Sequence, residues 1–314
     1  MAGGQERVLR RRIRSVQATK KITKAMELIA ASQIVRAQNR IVANRRYRAG
    51  MARTVVEAAK GDPTAARKLL GTPESPQSVG IVAIVGDRGL AGAYNTSVFR
   101  ASERLAAQVR ASGAAVKMFT VGKKAPSYFR FRGIDVERSF AGFLAKPSFS
   151  DAREIAAAVT VPFLAGEVDQ VLLVSTRYMS AGVQTVRTSQ LLPLPDPADA
   201  GHAGHPAQAG HTDDDDGAGK GTLDGYTEFE PDAARLLKEL APRAVESEIF
   251  SALLEGAASF FTAQQRAMAA ATENAEELIR TLSRIMNRAR QDAITTEIME
   301  IVGGAEALRR PKGA

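Results

Sequence analysis

Apolar positions recur along this chain with two different periods. Near the C-terminus, stepping alternately by three and four from Leu254 gives Ala257, Phe261, Gln264, Met268, Ala271, Ala275, Leu278, Leu282, Ile285, Ala289, Asp292, Thr296 and Met299. All but Gln264, Asp292 and Thr296 are apolar, the pattern of a heptad seam over about six heptads. About 60 such residues make a rod on the order of 90 Å. The many alanines allow close helix approach but contribute little buried area, so the seam is slender. The N-terminal stretch keeps the same step as Ile13, Val16, Lys20, Thr23, Glu27, Ala30, Ile34, Ala37 and Ile41. With no proline from Met1 to Asp62 and no glycine from Gln5 to Ala49, one helix is expected from about 5 to about 58. Its centre, Lys20 to Glu27, is polar where a stable coil is apolar. The ends of this helix are therefore expected to pair with the C-terminal helix while the centre faces something else. Two terminal helices that pair along their length around an intervening domain must run antiparallel.

Between the two seams the period changes. Val79 to Val85 is a short apolar, β-branched run, the mark of a strand buried on both faces. Asn95 to Ser112 reads as a helix, Ala115 to Val121 as a strand, Lys123 to Phe131 as a short helix and Ile134 to Ser139 as a strand. Ser150 to Ala165 is helical, Asp169 to Thr176 is a buried strand, and Gly182 to Leu192 reads as a final, antiparallel edge strand after a Gly-containing turn. Alternating strands and helices predict an α/β layer over 75–194. It is flanked by coiled-coil helices over 1–60 and 231–308. The 28 residues 195–222 hold six Gly, six Asp, six Ala, three Pro, all three histidines and no Val, Ile, Leu, Met or aromatic. With nothing apolar to bury, this segment is read as a disordered insertion.

Charge sharpens the picture. Of the net +9, residues 5–50 carry 13 basic residues against Glu6 and Glu27, so 13 − 2 = +11 lies there and the remainder is 9 − 11 = −2. A basic arm on a near-neutral protein seeks phosphate, acidic lipid or an acidic protein surface. No aromatic precedes Tyr47 to stack on bases, and no DNA-binding module is evident, so a protein partner ranks ahead of nucleic acid. The chain has no cysteine, which excludes disulfides, thiol nucleophiles and Cys-ligated zinc. No apolar stretch approaches the length of a membrane span and no signal-peptide core follows the N-terminal charges. A soluble, unexported protein is expected.

Three constellations could carry chemistry. Gly86-Asp87-Arg88-Gly89-Leu90-Ala91-Gly92 follows the first strand and enters a helix, where α/β sheets bind phosphates. The spacing is not that of a dinucleotide fingerprint, however, and no Lys-Ser or Lys-Thr follows as in a phosphate loop. A tight turn or a partner-binding loop is the better reading. His202, His205 and His211 with Asp213 to Asp216 have metal-ligating chemistry but no rigid surroundings to fix it. A catalytic triad cannot be assembled, because the only histidines lie in that segment. No cofactor and no metal are expected.

The run from Ile13 to Gln38, IRSVQATKKITKAMELIAASQIVRAQ, resembles the opening helix of the gamma subunit of rotary, bacterial-type F-type ATP synthases. Ala289 to Leu308, ARQDAITTEIMEIVGGAEAL, resembles that family's C-terminal end, and GDRGLAGAYN stands where it carries an Asp-Arg-Gly-Leu loop. Tyr226 to Leu237 and Val245-Glu246-Ser247 match its return into the long helix. The resemblance implies an antiparallel coiled coil of the terminal helices and a Rossmann-like α/β domain between them. It implies a non-catalytic rotor shaft that couples rotation of the c-ring to ATP synthesis or hydrolysis at the beta-subunit sites. The implied partners are the alpha and beta subunits, the epsilon subunit and the c-ring. Membrane contact comes only through the c-ring, at the cytoplasmic face of the cell membrane, and no nucleic acid is involved. Carried over by motif, Lys20, Lys21, Lys24, Met26 and Glu27 face the beta subunit's acidic lever, with Arg88 and Ala91 near it, and Arg290, Gln291 and Thr295 meet the beta catch loop. The chain departs from the family where Ser259-Phe260 replaces a frequent Ser-Glu, where Gln264 replaces Arg and where Ala91 replaces Cys. The alternatives are a coiled-coil scaffold or adaptor with an α/β head, and a nucleotide-dependent oxidoreductase that would hold nucleotide in the isolated chain.

Overall fold

The computed structural model describes residues 2–62, 75–194 and 232–309; the 195–222 segment, with its histidines and its aspartate run, lies outside them. The elements in chain order are α1 (Ala2–Gly61), β1 (Ser78–Ile84), α2 (Tyr94–Ala111), β2 (Ala115–Val121), α3 (Ala125–Phe131), β3 (Val136–Phe140), α4 (Phe149–Leu164), β4 (Gln170–Tyr178), β5 (Gln184–Leu192) and α5 (Ala233–Arg309). They form two compact units. One draws on α1 up to Ser32, on Leu90–Gly92 and on α5 from Thr262; the other takes the rest of the described chain.

The α/β unit is organised by the alternation that the strands' sequences impose. The sheet order is β3-β2-β1-β4-β5, with β1 parallel to both β2 and β4, β2 parallel to β3, and β5 antiparallel at the edge. Successive side chains of a strand point to opposite faces. Ile81 and Ala83 accordingly join Met118 and Val174 under α2 and α3, where Val98, Phe99 and Phe129 cover them. Val82 and Ile84 join Phe119, Val121 and Leu173 on the other face. That second face is covered by Ile155 and Val159 of α4, by Val55 and Ala58 of α1, and by Leu237, Val245, Ile249 and Leu253 of α5. β1 thus reads as one apolar run because both of its faces are dry. Ser148 caps α4 in a reciprocal box with Asp151. Gly122 has φ +104 and a Cβ there would stand 2.2 Å from the Val85 carbonyl oxygen, so only glycine lets the two loops after β1 and β2 cross.

An ionic cluster ties three elements of this unit together. Arg48 grips both Glu248 oxygens at 2.8 and 2.9 Å and extends its third nitrogen to Ser251 Oγ at 3.4 Å and Glu255 at 3.8 Å. Glu255 also accepts the Tyr178 backbone N–H at 3.3 Å, and Gln38 donates to the Tyr178 hydroxyl at 2.6 Å. Burial raises the Glu255 pKa; Arg48, the Tyr178 amide and Arg177 oppose the rise and Glu248 adds to it. Desolvation therefore outweighs attraction at this carboxyl. An acid whose folded pKa lies above its unfolded one binds its proton more tightly when folded. Its stability contribution is fully present below the ordinary value of 4.5 and is lost as pH rises from there through the raised folded value. Glu255→Gln keeps an acceptor for Tyr178 and cannot ionise. Urea unfolding should find the variant at least as stable as wild type at pH 7, with its relative advantage shrinking towards pH 4. The opposite trend would show that ionised Glu255 holds Arg48 in place at a net gain.

In the coil unit, the buried positions are Ile13, Thr23 and Ala30 on α1, and Thr262, Gln264, Met268, Ala275 and Leu282 on α5. Thr23 meets Thr272, hydroxyl to hydroxyl, at 2.8 Å, and Lys20 meets Glu276 at 3.4 Å. Moving back along α1 therefore moves forward along α5, so the pair is antiparallel. Lys20 holds the Glu276 carboxyl below its usual range, with Arg280 adding to the effect. The sequence reading is corrected in two places here. The polar centre of α1 does not turn away from α5: Thr23 is buried and forms a polar layer of the seam with Thr272. The C-terminal seam also shifts by one residue after Ala275. Leu278 and Ile285 are 44% and 46% exposed while Ile279 and Met286 are half-buried. Steps of three and four average 3.5 residues per turn, and reversing their order at one point rotates the facing stripe without any break in the helix.

Candidate functional site

The sequence-selected residues fall on two surfaces of the coil unit and on one loop. On α1, Lys20 is engaged by Glu276, while Lys24 pairs with Glu27 of its own helix at 2.9 Å. Met26 is half-buried, and Lys21 is exposed. On α5, Arg290, Gln291 and Thr295 are all exposed. Spacing keeps them outward, because the stripe that faces α1 runs through Leu282, Met286, Ala289 and Ala293.

Their surroundings carry one sign. Lys20 opposite Glu276 places residues 7–14 of α1 opposite about 282–289 of α5 in an antiparallel pair. Arg7, Arg10, Arg11, Arg12 and Arg14 on α1 and Arg280, Arg284, Arg288 and Arg290 on α5 are all exposed. The acids nearby are Glu6, Glu276, Glu277 and Asp292. Glu6 binds Arg10 at 2.7 Å, and Glu276 reaches Arg280 at 3.5 Å. Nine guanidinium groups against four carboxylates make a cationic collar, which attracts an acidic surface and focuses it on the coil. Beyond Asp292 the character changes: Ile294, Ile298, Met299, Ile301 and Val302 are all exposed on α5. Met299, which the sequence pattern placed in the seam, is 66% exposed. Sequence reading found the α1 arginines by composition and Arg290 by the family resemblance, but it missed Arg280, Arg284 and Arg288 and this apolar end, since a heptad pattern cannot tell an occupied seam from an unoccupied one.

The loop between β1 and α2 is built from its ends. Asp87 accepts the backbone N–H groups of Lys123 (3.1 Å), Gly142 (2.9 Å) and Leu144 (3.2 Å). Asn95 accepts from the Gly86 amide at 2.7 Å and donates to the Arg88 carbonyl at 3.1 Å. Phe260 lies against Gly86, where a Cβ would come within 2.8 Å of its ring, and meets Tyr94 edge-on at 5.5 Å. Burial raises the Tyr94 phenol pKa, with Thr176 opposing. The departure at Phe260 is thus absorbed by an aromatic contact over a glycine. Arg88 and Leu90 are exposed, whereas Ala91 is buried. A phosphate site here would need free amides. Three neighbouring amides are filled by the chain's own Asp87 carboxylate, and side chains at Gly89 or Gly92 would meet nothing within 4 Å. Gly92, at φ +53, serves the turn. Among the described residues no group of three or more His, Cys, Asp or Glu side chains is placed to hold a metal. The Asp87 and Asn95 roles were invisible in sequence, because their partners lie up to 57 residues away.

Comparison with known proteins gives one answer. The chain matches the family described as ATP synthase over residues 5–308. It is 45% identical over 309 residues to the ATP synthase gamma chain of Parafrankia sp., covering 97% of this chain and 98% of that one. It is 42% identical over 310 residues to the gamma chain of Streptomyces coelicolor, covering 98% and 97%. Among solved structures it shares its fold with a chain of the Euglena gracilis mitochondrial ATP synthase (TM-score 0.62, 20% identity, 99% of both chains). It also shares its fold with a chain of the Tetrahymena thermophila central stalk and c-ring structure (TM-score 0.59, 24% identity, 80% of this chain and 99% of that one).

Proposed function

The chain belongs to the ATP synthase gamma-chain family, and from that premise we propose how its surfaces couple rotation to ATP chemistry. It is a non-catalytic subunit, the rotor of the central stalk. No helix among the described residues is long and apolar enough to cross a membrane. The reading is that the coil unit turns inside the head of alpha and beta subunits. The α/β unit bears on the c-ring with the epsilon subunit, so that membrane contact, at the cytoplasmic face, comes only through that ring. Lys20, Lys21, Lys24, Met26 and Glu27 face the beta lever, with Arg88 and Ala91 on the loop near it, and Arg290, Gln291 and Thr295 meet the catch loop.

The cationic collar supports this reading most directly. Its nine arginines are exposed and mostly unpaired, so their charge is available to a surrounding acidic surface. A pair of helices has no threefold symmetry, so at any angle it offers three equivalent beta sites three different faces. A ligand moves an equilibrium only by its differential affinity for the two states. The shaft acts as such a ligand for the beta subunits, holding one closed while another opens. Exposed ion pairs are each worth only about 0.2–1 kcal/mol, so they exchange as the shaft turns without trapping one angle. The apolar end at Ile294 to Val302 suits a low-friction apolar seat, since it offers no directional bonds to break.

Mixing the chain with alpha and beta subunits provides the test. A complex should elute together and hydrolyse MgATP faster than the alpha–beta mixture alone. Separate elution with unchanged hydrolysis would favour the scaffold reading.

A further inference from the structure

Outside the basic arm of residues 5–50 the chain nets −2, but that remainder is itself uneven. Residues 100–138 hold nine Lys and Arg against Glu103, Asp135 and Glu137, so 9 − 3 = +6 lies in this stretch. It spans most of α2, then β2, α3 and part of β3. α2 and α3 cover the same face of the sheet and touch there: Tyr128 stacks on Phe99 at 4.0 Å, and Arg132 binds Glu103. Arg100 stands by the Tyr128 hydroxyl as well, where it and Arg132 oppose the rise in pKa that burial and Glu103 cause. Arg100, Arg104, Arg130 and Arg132 are all exposed. Between Arg130 and Arg132 stands Phe131, the last residue of α3, which is 86% exposed. Its place is fixed, because the Arg132 and Ile134 amides donate back to the Phe129 carbonyl at 3.0 and 2.9 Å, and Phe129 is fully buried. Among the described residues no other exposed large apolar side chain lies on α2 or α3.

We propose that the free chain, before it joins the complex, lies with this face on an anionic bilayer surface, where Phe131 enters the interface and the surrounding arginines meet lipid phosphates. A stable protein interface needs a contiguous surface on the order of 1,000 Å² with an apolar centre. One ring set among guanidinium groups does not supply it. Single-stranded nucleic acid needs successive aromatic platforms for its bases, and Tyr128 is already stacked on Phe99. A bilayer asks for less. Basic side chains are drawn to anionic headgroups, and a lone aromatic sits at the boundary between headgroups and acyl chains. Arginines keep their charge at the phosphates while their stems lie along the apolar layer. A chain held on the membrane meets its partners by a search in two dimensions. In the assembled rotor the ring makes the membrane contact, so this inference concerns an earlier stage and stands apart from the rotor reading.

The chain has no tryptophan, so Phe131→Trp installs a sole fluorescent reporter at the tip. With the full isolated chain at physiological salt, vesicles of phosphatidylglycerol should move its emission to shorter wavelength, and vesicles of phosphatidylcholine should leave it in place. Phe131→Ser should weaken co-sedimentation with phosphatidylglycerol vesicles by about tenfold, the scale of burying one such side chain. It should melt at the wild-type temperature, because little of the ring is covered in the chain. Arg104→Gln with Arg130→Gln should also weaken binding and flatten its salt dependence. Three results overturn the proposal. One is an emission that phosphatidylglycerol leaves unshifted. Another is vesicle binding that Phe131→Ser leaves unchanged, which would assign the lipid affinity to the arginines of α1. The third is a shift produced by alpha and beta subunits but not by vesicles, which would make this face a protein-docking surface.

Discussion

Replacing Asp87 by alanine should destabilise the α/β unit by about 2–4 kcal/mol and lower its melting temperature by roughly 5–12 °C. The carboxylate accepts three backbone N–H groups, from Lys123, Gly142 and Leu144, which belong to the loops after β2 and β3. Hydrogen bonds to a charged acceptor contribute about 1.5–3 kcal/mol each, but Lys123 and Gly142 are exposed and water replaces part of the loss there. Leu144 is buried, so its amide would be left without a partner. Asn at the same site keeps the oxygen that serves Lys123 and Gly142 and turns an NH₂ towards the Leu144 amide. Asp87→Asn should therefore fall between alanine and wild type. Amide hydrogen exchange at the three residues provides the check. Unchanged protection in Asp87→Ala would mean that the loops hold themselves and that Asp87 only reports their position.

The second large effect concerns the rotor surface. Arg290→Ala with Gln291→Ala should lower MgATP hydrolysis by the assembled complex about tenfold or more and weaken assembly, while the helicity of the isolated chain stays unchanged. Both side chains are exposed, and alanine is the better helix former, so the isolated coil has no reason to suffer. The size of the effect decides what kind of contact is made. A screened surface pair would cost less than about fivefold and disappear at high salt. A charge hydrogen-bonded in a closed interface costs far more when removed, because its partner is left buried and unpaired. Hydrolysis and assembly at wild-type levels would remove these two residues from the catch role and leave the shaft architecture standing.

Much of the fold could be read from the chain, for reasons particular to each element. β1 is legible because a strand buried on both faces is an uninterrupted apolar run. The short helix α3 was expected two residues early, at Lys123, whose amide is instead taken by Asp87. The coil was legible as a coil, but its facing stripe was not. Leu278 and Ile279 are adjacent and both apolar, and only the partner helix decides which turns inward. Lys20 to Glu27 misled in the opposite sense: the threonine pair makes a polar layer inside the seam, and a single sequence does not show that Thr23 has Thr272 as its partner. At the candidate site, Lys21 and the α1 arginines stood out by charge, and Arg88 and Arg290 by their place in the family motifs. Phe131 did not stand out, because Phe129 and Phe131 read alike and only the fold shows that the first is buried and the second exposed.

The two faces of the sheet differ in when they can be covered during synthesis. The face under α2 and α3 is made of residues between Val79 and Val174, which leave the ribosome together. The opposite face depends on Leu237, Val245, Ile249 and Leu253 of the last helix as well as on Val55 and Ala58 of the first. Until that last helix is made, among the described elements α4 and the first helix are what shields Val82, Phe119 and Leu173. At about 5–20 residues per second, the wait for α5 lasts several seconds. The nascent chain is therefore a half-closed sandwich with one apolar side uncovered. Truncations that remove α5 should be found in the insoluble fraction, for want of the lid on that face.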